Sequence, residues 1–106
     1  MTVALTKDFK ETVQARAMRD AKFRRGLLTE ALDCFLAGEM DEGKLLLRDY
    51  INATIGFEEL ARLTDKTPKS LMRMLGESGN PRADNLFAIV SRLQAREGVR
   101  LSVRAR

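Results

Sequence analysis

Residues 57–75, FEELARLTDKTPKSLMRML, constrain this chain most. Phe57, Leu60, Ala61 and Leu63 recur at helical spacing, and so do Leu71, Met74 and Leu75. Between the two runs lies Thr64-Asp65-Lys66-Thr67. Ala61 is small enough for two helices to cross closely. Thr67 is placed to cap the second helix, and Pro68 then falls at its first position, where a missing N–H costs nothing. Two short helices and a tight turn in this order are the layout of a helix-turn-helix, whose second helix enters the DNA major groove.

The rest of the chain reads as helical scaffold. The spacing predicts a polar helix over about 8–19, with Asp8 and Glu11 as a reciprocal cap and Phe9, Val13 and Ala17 as a narrow stripe flanked by Met18. Residues 1–7 read as an arm. Asp20 caps a helix over about 21–37, with rows Phe23, Leu27, Ala31, Cys34 and Leu28, Leu32, Phe35 or Leu36. Gly26 suggests close helix packing, and Gly38 fits the position that ends the helix. A further helix starts at Met40 or Asp41 and runs to about Ala53, with Leu45, Leu46, Tyr50 and Ile51 apolar and Leu47 adding width. Thr54-Ile55-Gly56 links it to the paired helices at about 57–64 and 68–75. Residues 76–82 form a loop by their turn residues. A last helix runs from about Asp84 to Glu97 on a stripe of Leu86, Ile89, Val90 and Leu93, widened by Phe87 and Ala88, and Gly98 breaks it. Val99-Arg100-Leu101-Ser102-Val103-Arg104 alternates with period two and predicts a short strand over 99–104. Such a strand needs a mate from another chain. The fold class expected is therefore all-α with a short C-terminal strand. It is read as a single domain over 1–106: an arm and helix over 1–22, a helical core over 23–98 and the strand over 99–104.

Composition narrows the chemistry. The chain has 106 residues, 44% hydrophobic and 32% charged, with a net charge of +4. This is an ordinary globular composition, and the charge permits nucleic-acid binding without demanding it. One cysteine, Cys34, and no histidine leave no disulfide framework, no conventional zinc site and no histidine-based acid–base catalysis. Cys34 reads as a small buried hydrophobe. Sequence-adjacent carboxylates, Asp41 with Glu42 and Glu58 with Glu59, point different ways on a helix and make no acid–base pair. The stretch GESGNP lacks the GxxxxGK[ST] arrangement of a phosphate loop. No enzyme, metal or cofactor is expected. No apolar run is long enough to span a membrane and none resembles a signal peptide, so a cytoplasmic location is expected.

On the second helix of the pair, Lys69, Ser70, Met72 and Arg73 are the candidates to face DNA bases. Arginine or lysine can read guanine, serine several base edges, and methionine a thymine methyl. Lys66, Thr67 and Arg82 are placed for phosphate contacts.

The segments INATIGFEELARLTDKTPKSLMRML and GNPRADNLFAIVSRLQAREGVRLSV together resemble the HigA-like addiction-module antidotes, helix-turn-helix regulators with a lambda-repressor-like DNA-binding domain. The likeness runs from about Phe23 to Val103. It implies an all-helical DNA-binding core and a homodimer on a double-stranded operator. It also implies repression of the chain's own operon and neutralisation of a RelE/ParE-type toxin. By position it places Thr67, Pro68, Lys69, Ser70, Met72 and Arg73 on the recognition helix, and Asn80 and Pro81 in the following loop. Asp65 stands where that family's turn usually carries glycine, and Lys66 where a buried Leu or Ile usually packs. The first helix, the last helix and residues 98–103 are candidate dimer surfaces. Two other roles stay open on the residues alone: a protein-interaction module that keeps the helix-turn-helix as architecture, and a stand-alone regulator with no toxin partner.

Overall fold

The structure is a computed structural model, and it describes residues 14–106. Residues 14–19 are helical, and five complete helices follow: α1 (Ala21–Leu36), α2 (Met40–Ala53), α3 (Phe57–Thr64), α4 (Pro68–Met74) and α5 (Ala83–Glu97). The arm expected over 1–7, the Asp8–Glu11 cap, and the stripe positions Phe9 and Val13 lie outside the described residues. The chain divides into two compact units, Met1–Gly56 and Phe57–Arg106. Among the described residues no helix is long and apolar enough to cross a membrane.

In the first unit, α1 packs against α2. Asp20 caps α1, its Oδ1 accepting the Phe23 N–H at 3.1 Å. That bond holds the Asp20 carboxyl below its ordinary range, with Arg16 adding to the effect. Arg24 donates back to the Ala17 carbonyl at 3.1 Å, and Arg16 lies 4.6 Å over the Phe23 ring. Leu27, Leu28, Ala31 and Cys34 are buried, and Leu36 faces out. The helix ends on left-handed Gly38: its N–H reaches the Phe35 carbonyl at 3.1 Å, and the Glu39 N–H reaches the Cys34 carbonyl at 2.8 Å. This paired closure satisfies carbonyls that the helix end would otherwise orphan.

The register of α2 differs from the sequence reading. Leu47, Tyr50 and Ile51 are fully buried, whereas Leu45 is exposed. Three consecutive leucines leave the phase of the stripe undetermined, and the close approach of Gly43 to the Phe35 ring fixes it. Met18 is also exposed rather than packed. A Cβ on Gly43 would lie 2.5–2.6 Å from two Phe35 ring carbons, so Gly43 is the glycine of close packing; Gly26 is exposed with nothing within 4 Å of such an atom.

In the second unit, α3 packs against both α4 and α5. Its core is Phe57, Leu60 and Ala61 from α3, Leu71 and Leu75 at α4, and Leu86, Ile89, Val90 and Leu93 from α5. Phe87 and Ala88 do not widen this core, since both are exposed. Glu59 and Arg62 form a two-pronged ion pair on the surface of α3, at 2.7 and 2.5 Å. Its Arg62 hydrogen bonds hold the Glu59 carboxyl low, and Arg96 adds a smaller attraction.

The C-terminal strand is absent. Residues 99–106 adopt no regular structure, and no strand occurs among the described residues. The alternation had no ladder to enter. Instead Gln94 takes the backbone: its carbonyl accepts the Val99 N–H at 3.1 Å, and its side-chain Oε1 accepts the Leu101 N–H at 2.7 Å. One residue of α5, Gln94, thus holds the start of this segment through its main chain and its side chain, in place of a strand ladder.

The two glycines of the first unit yield a contrast. Gly26→Ala removes mid-helix backbone entropy at an open site and raises stability by about 0.5–1 kcal/mol. Gly43→Ala falls short of that gain because the Phe35 ring must move. Urea unfolding of both variants beside the parent measures the difference, and equal gains overturn the packing assignment.

Candidate nucleic-acid interface

The site is built on α3, α4 and the turn between them. Thr64, the last residue of α3, returns its hydroxyl to the Leu60 carbonyl at 2.7 Å. Asp65 follows at φ 56°, the one described non-glycine residue with positive φ. Aspartate visits this region more readily than most side chains, because its short polar group bonds locally. The Lys66 N–H then reaches the Ala61 carbonyl at 2.9 Å. This is the same closure that ends α1, made here with aspartate in place of glycine. An apolar residue ordinarily covers such a closure at the Lys66 position. Lys66 is half-buried, which fits an aliphatic stem lying on the protein while the ammonium reaches water.

Thr67 sits in extended backbone and caps α4, its Oγ1 accepting the Ser70 N–H at 3.0 Å. The hydroxyl keeps its own proton for a further acceptor. Pro68 occupies the first turn, as its fixed φ favours. Leu71 then points inward, fully buried, and fixes the rotation of the helix. Lys69, Met72 and Arg73 consequently share the outer face, and all three are exposed. Neither Lys69 nor Arg73 has an ion-pair partner among the described residues. Ser70 turns to the flank and is half-buried.

That flank is a shallow cleft of about 300 Å³, lined by Ser70, Arg73 and Met74 of α4 and by Ser78, Gly79 and Asn80 of the following loop. Gly79 sets its depth. A Cβ there would collide with the carbonyl oxygens of Arg73 and Met74, so glycine alone lets the loop lie on the last turn of α4. The sequence reading of a plain turn missed this, because the need for glycine comes from the neighbouring helix. Ser78 was likewise not among the expected contacts, and Asn80 entered only through its loop position. Arg82 stands apart from the cleft lining and is exposed, its guanidinium 3.4 Å from the Asp84 carboxylate, which offsets part of its charge.

Charge is divided between the units. Residues 57–106 hold ten Lys and Arg against six Asp and Glu, while residues 1–56 hold nine against nine. All of the net +4 therefore falls in the unit that carries α3 and α4.

A second convergence of polar groups lies in the first unit and was not legible in the sequence. Cys34 Sγ and carboxylate oxygens of Glu39 and Glu42 lie within 4.8 Å of one another. Burial pushes the Cys34 thiol up, and Glu39 and Glu42 push it the same way. A protonated thiol beside two exposed carboxylates is a poor ligand set at neutral pH. No known family model, curated protein or solved structure matches this chain.

The turn generates a stability test. Asp65→Gly relieves the left-handed backbone and stabilises, whereas Asp65→Val destabilises through its branched Cβ. Thr67→Ala costs about 1 kcal/mol through loss of the cap. Gly79→Ala costs about 1–3 kcal/mol, as backbone must move to admit the methyl group. Thermal and urea unfolding rank the four, and a neutral Gly79→Ala overturns the account of the cleft.

Proposed function

We propose that this chain is a sequence-specific DNA-binding protein that reads duplex DNA through α4. The carrying observation is the outer face of α4: Lys69, Met72 and Arg73 exposed together, both cations without an ion-pair partner among the described residues. The short turn, the Thr67 cap and the buried Leu71 fix which side chains that face presents. Lys69 and Arg73 then offer donors to base edges, Met72 meets a thymine methyl, and Ser70 works from the flank. Lys66, Thr67 and Arg82 supply phosphate contacts that position the helix, and the cleft donors Ser78 and Asn80 add to them.

A single module of this size buries too little DNA surface for high specificity, so we read the functional species as a homodimer on two half-sites about 34–36 Å apart. Consistent with its resemblance to HigA-like antidotes, the chain then represses its own operon and neutralises a RelE/ParE-type toxin. Exposed Leu36, Met40 and Leu45 leave apolar surface on the first unit. That surface favours, as a second reading, a role in protein binding that does not require DNA.

The deciding measurement is fluorescence anisotropy of the purified chain on the duplex upstream of its gene and on a scrambled duplex, at about 150 mM salt. Specific reading gives roughly 10³-fold preference or more. Arg73→Ala and Lys69→Ala each lose about 1–3 kcal/mol on the specific duplex and relax discrimination. Equal weak binding to both duplexes removes the DNA reading and shifts the role to the protein-binding unit.

A further inference from the structure

Three arginines cluster beyond α5, outside the interface on α4. Arg100, Arg104 and Arg106 lie in residues 99–106, where no Asp or Glu occurs. All three are exposed, and none has an ion-pair partner among the described residues. The segment is tied at its root. Gln94 accepts from Val99 and from Leu101, and both of these residues are half-buried. Beyond Leu101 the backbone carries no regular structure, so it can follow the contour of a partner. A guanidinium is a planar fork matched to phosphate oxygens, and three of them on an anchored segment concentrate positive charge at a fixed place in the unit.

From this arrangement we infer that Arg100, Arg104 and Arg106 form a second nucleic-acid contact, one that neutralises duplex phosphates without reading bases. The inference rests on the DNA reading of α4. The chemistry favours a duplex over an anionic membrane surface, because Val103 is the one large apolar side chain of the segment that is strongly exposed, 78%, and a bilayer contact needs a broader apolar face. The segment acts as an electrostatic clasp. It raises affinity for all duplexes alike and leaves discrimination to Lys69 and Arg73.

The test uses the full chain and the triple variant R100Q/R104Q/R106Q. Anisotropy is read on the upstream and scrambled duplexes across a salt series, and circular dichroism checks that helicity and melting are unchanged. Each lost phosphate contact flattens the slope of log K against log salt by about 0.9, so the variant's slope is shallower by about 2 to 3. Its affinity falls by a similar factor on both duplexes, and the preference between them persists. A variant slope equal to the parent's, with the parent binding DNA, overturns the inference and leaves the α4 reading intact. So does an unchanged slope accompanied by lost binding to phosphatidylserine vesicles. A parent chain that binds neither duplex overturns both, and the two failures are thereby told apart.

Discussion

The closure of a helix by one left-handed residue recurs in this chain and governs its architecture. α1 ends on Gly38, α3 on Asp65 and α5 on Gly98. In each case the next N–H reaches back five residues, to Cys34, Ala61 and Gln94 respectively. The first two closures turn the chain sharply into another helix. The third delivers it to the Gln94 side chain, where the segment that follows is tied down. Helices as short as α3 and α4 are marginal by themselves, so their form depends on these ends and on the packing of Leu60, Ala61 and Leu71.

Asp65 shows what a substitution within this device entails. Glycine would take the left-handed conformation freely, and aspartate takes it with local strain. Lys66 then supplies a half-buried stem where an apolar side chain would be ordinary. The turn keeps its geometry with a less favourable pair of residues. It gains a cation beside α4.

Much of the helical framework was legible because its cues are local. Asp20, Gly38, Thr67 with Pro68, and Gly98 mark ends that the structure places within a residue or two of expectation. The outer face of α4 was legible for the same reason, since Leu71 sets the phase. What was not legible depends on a distant neighbour. The phase of Leu45-Leu46-Leu47 is set by Phe35 against Gly43, and the role of Gly79 is set by the carbonyls of α4. The alternation over 99–104 is a sound local signal for a strand, but pairing is a non-local property and no mate is present among the described residues. The approach of Glu39 and Glu42 to Cys34 arises from the turn between α1 and α2, which spacing alone does not foretell.

The confinement of net charge to residues 57–106 has a kinetic meaning. At physiological ionic strength fields extend only about 8 Å, so the positive charge of residues 57–106 acts close to the groups that carry it. Under the DNA reading proposed above, this charge speeds capture of a duplex as salt is lowered. Residues 1–56, with their charges balanced, exert no comparable pull. They leave the net positive charge to the half of the chain that holds α4.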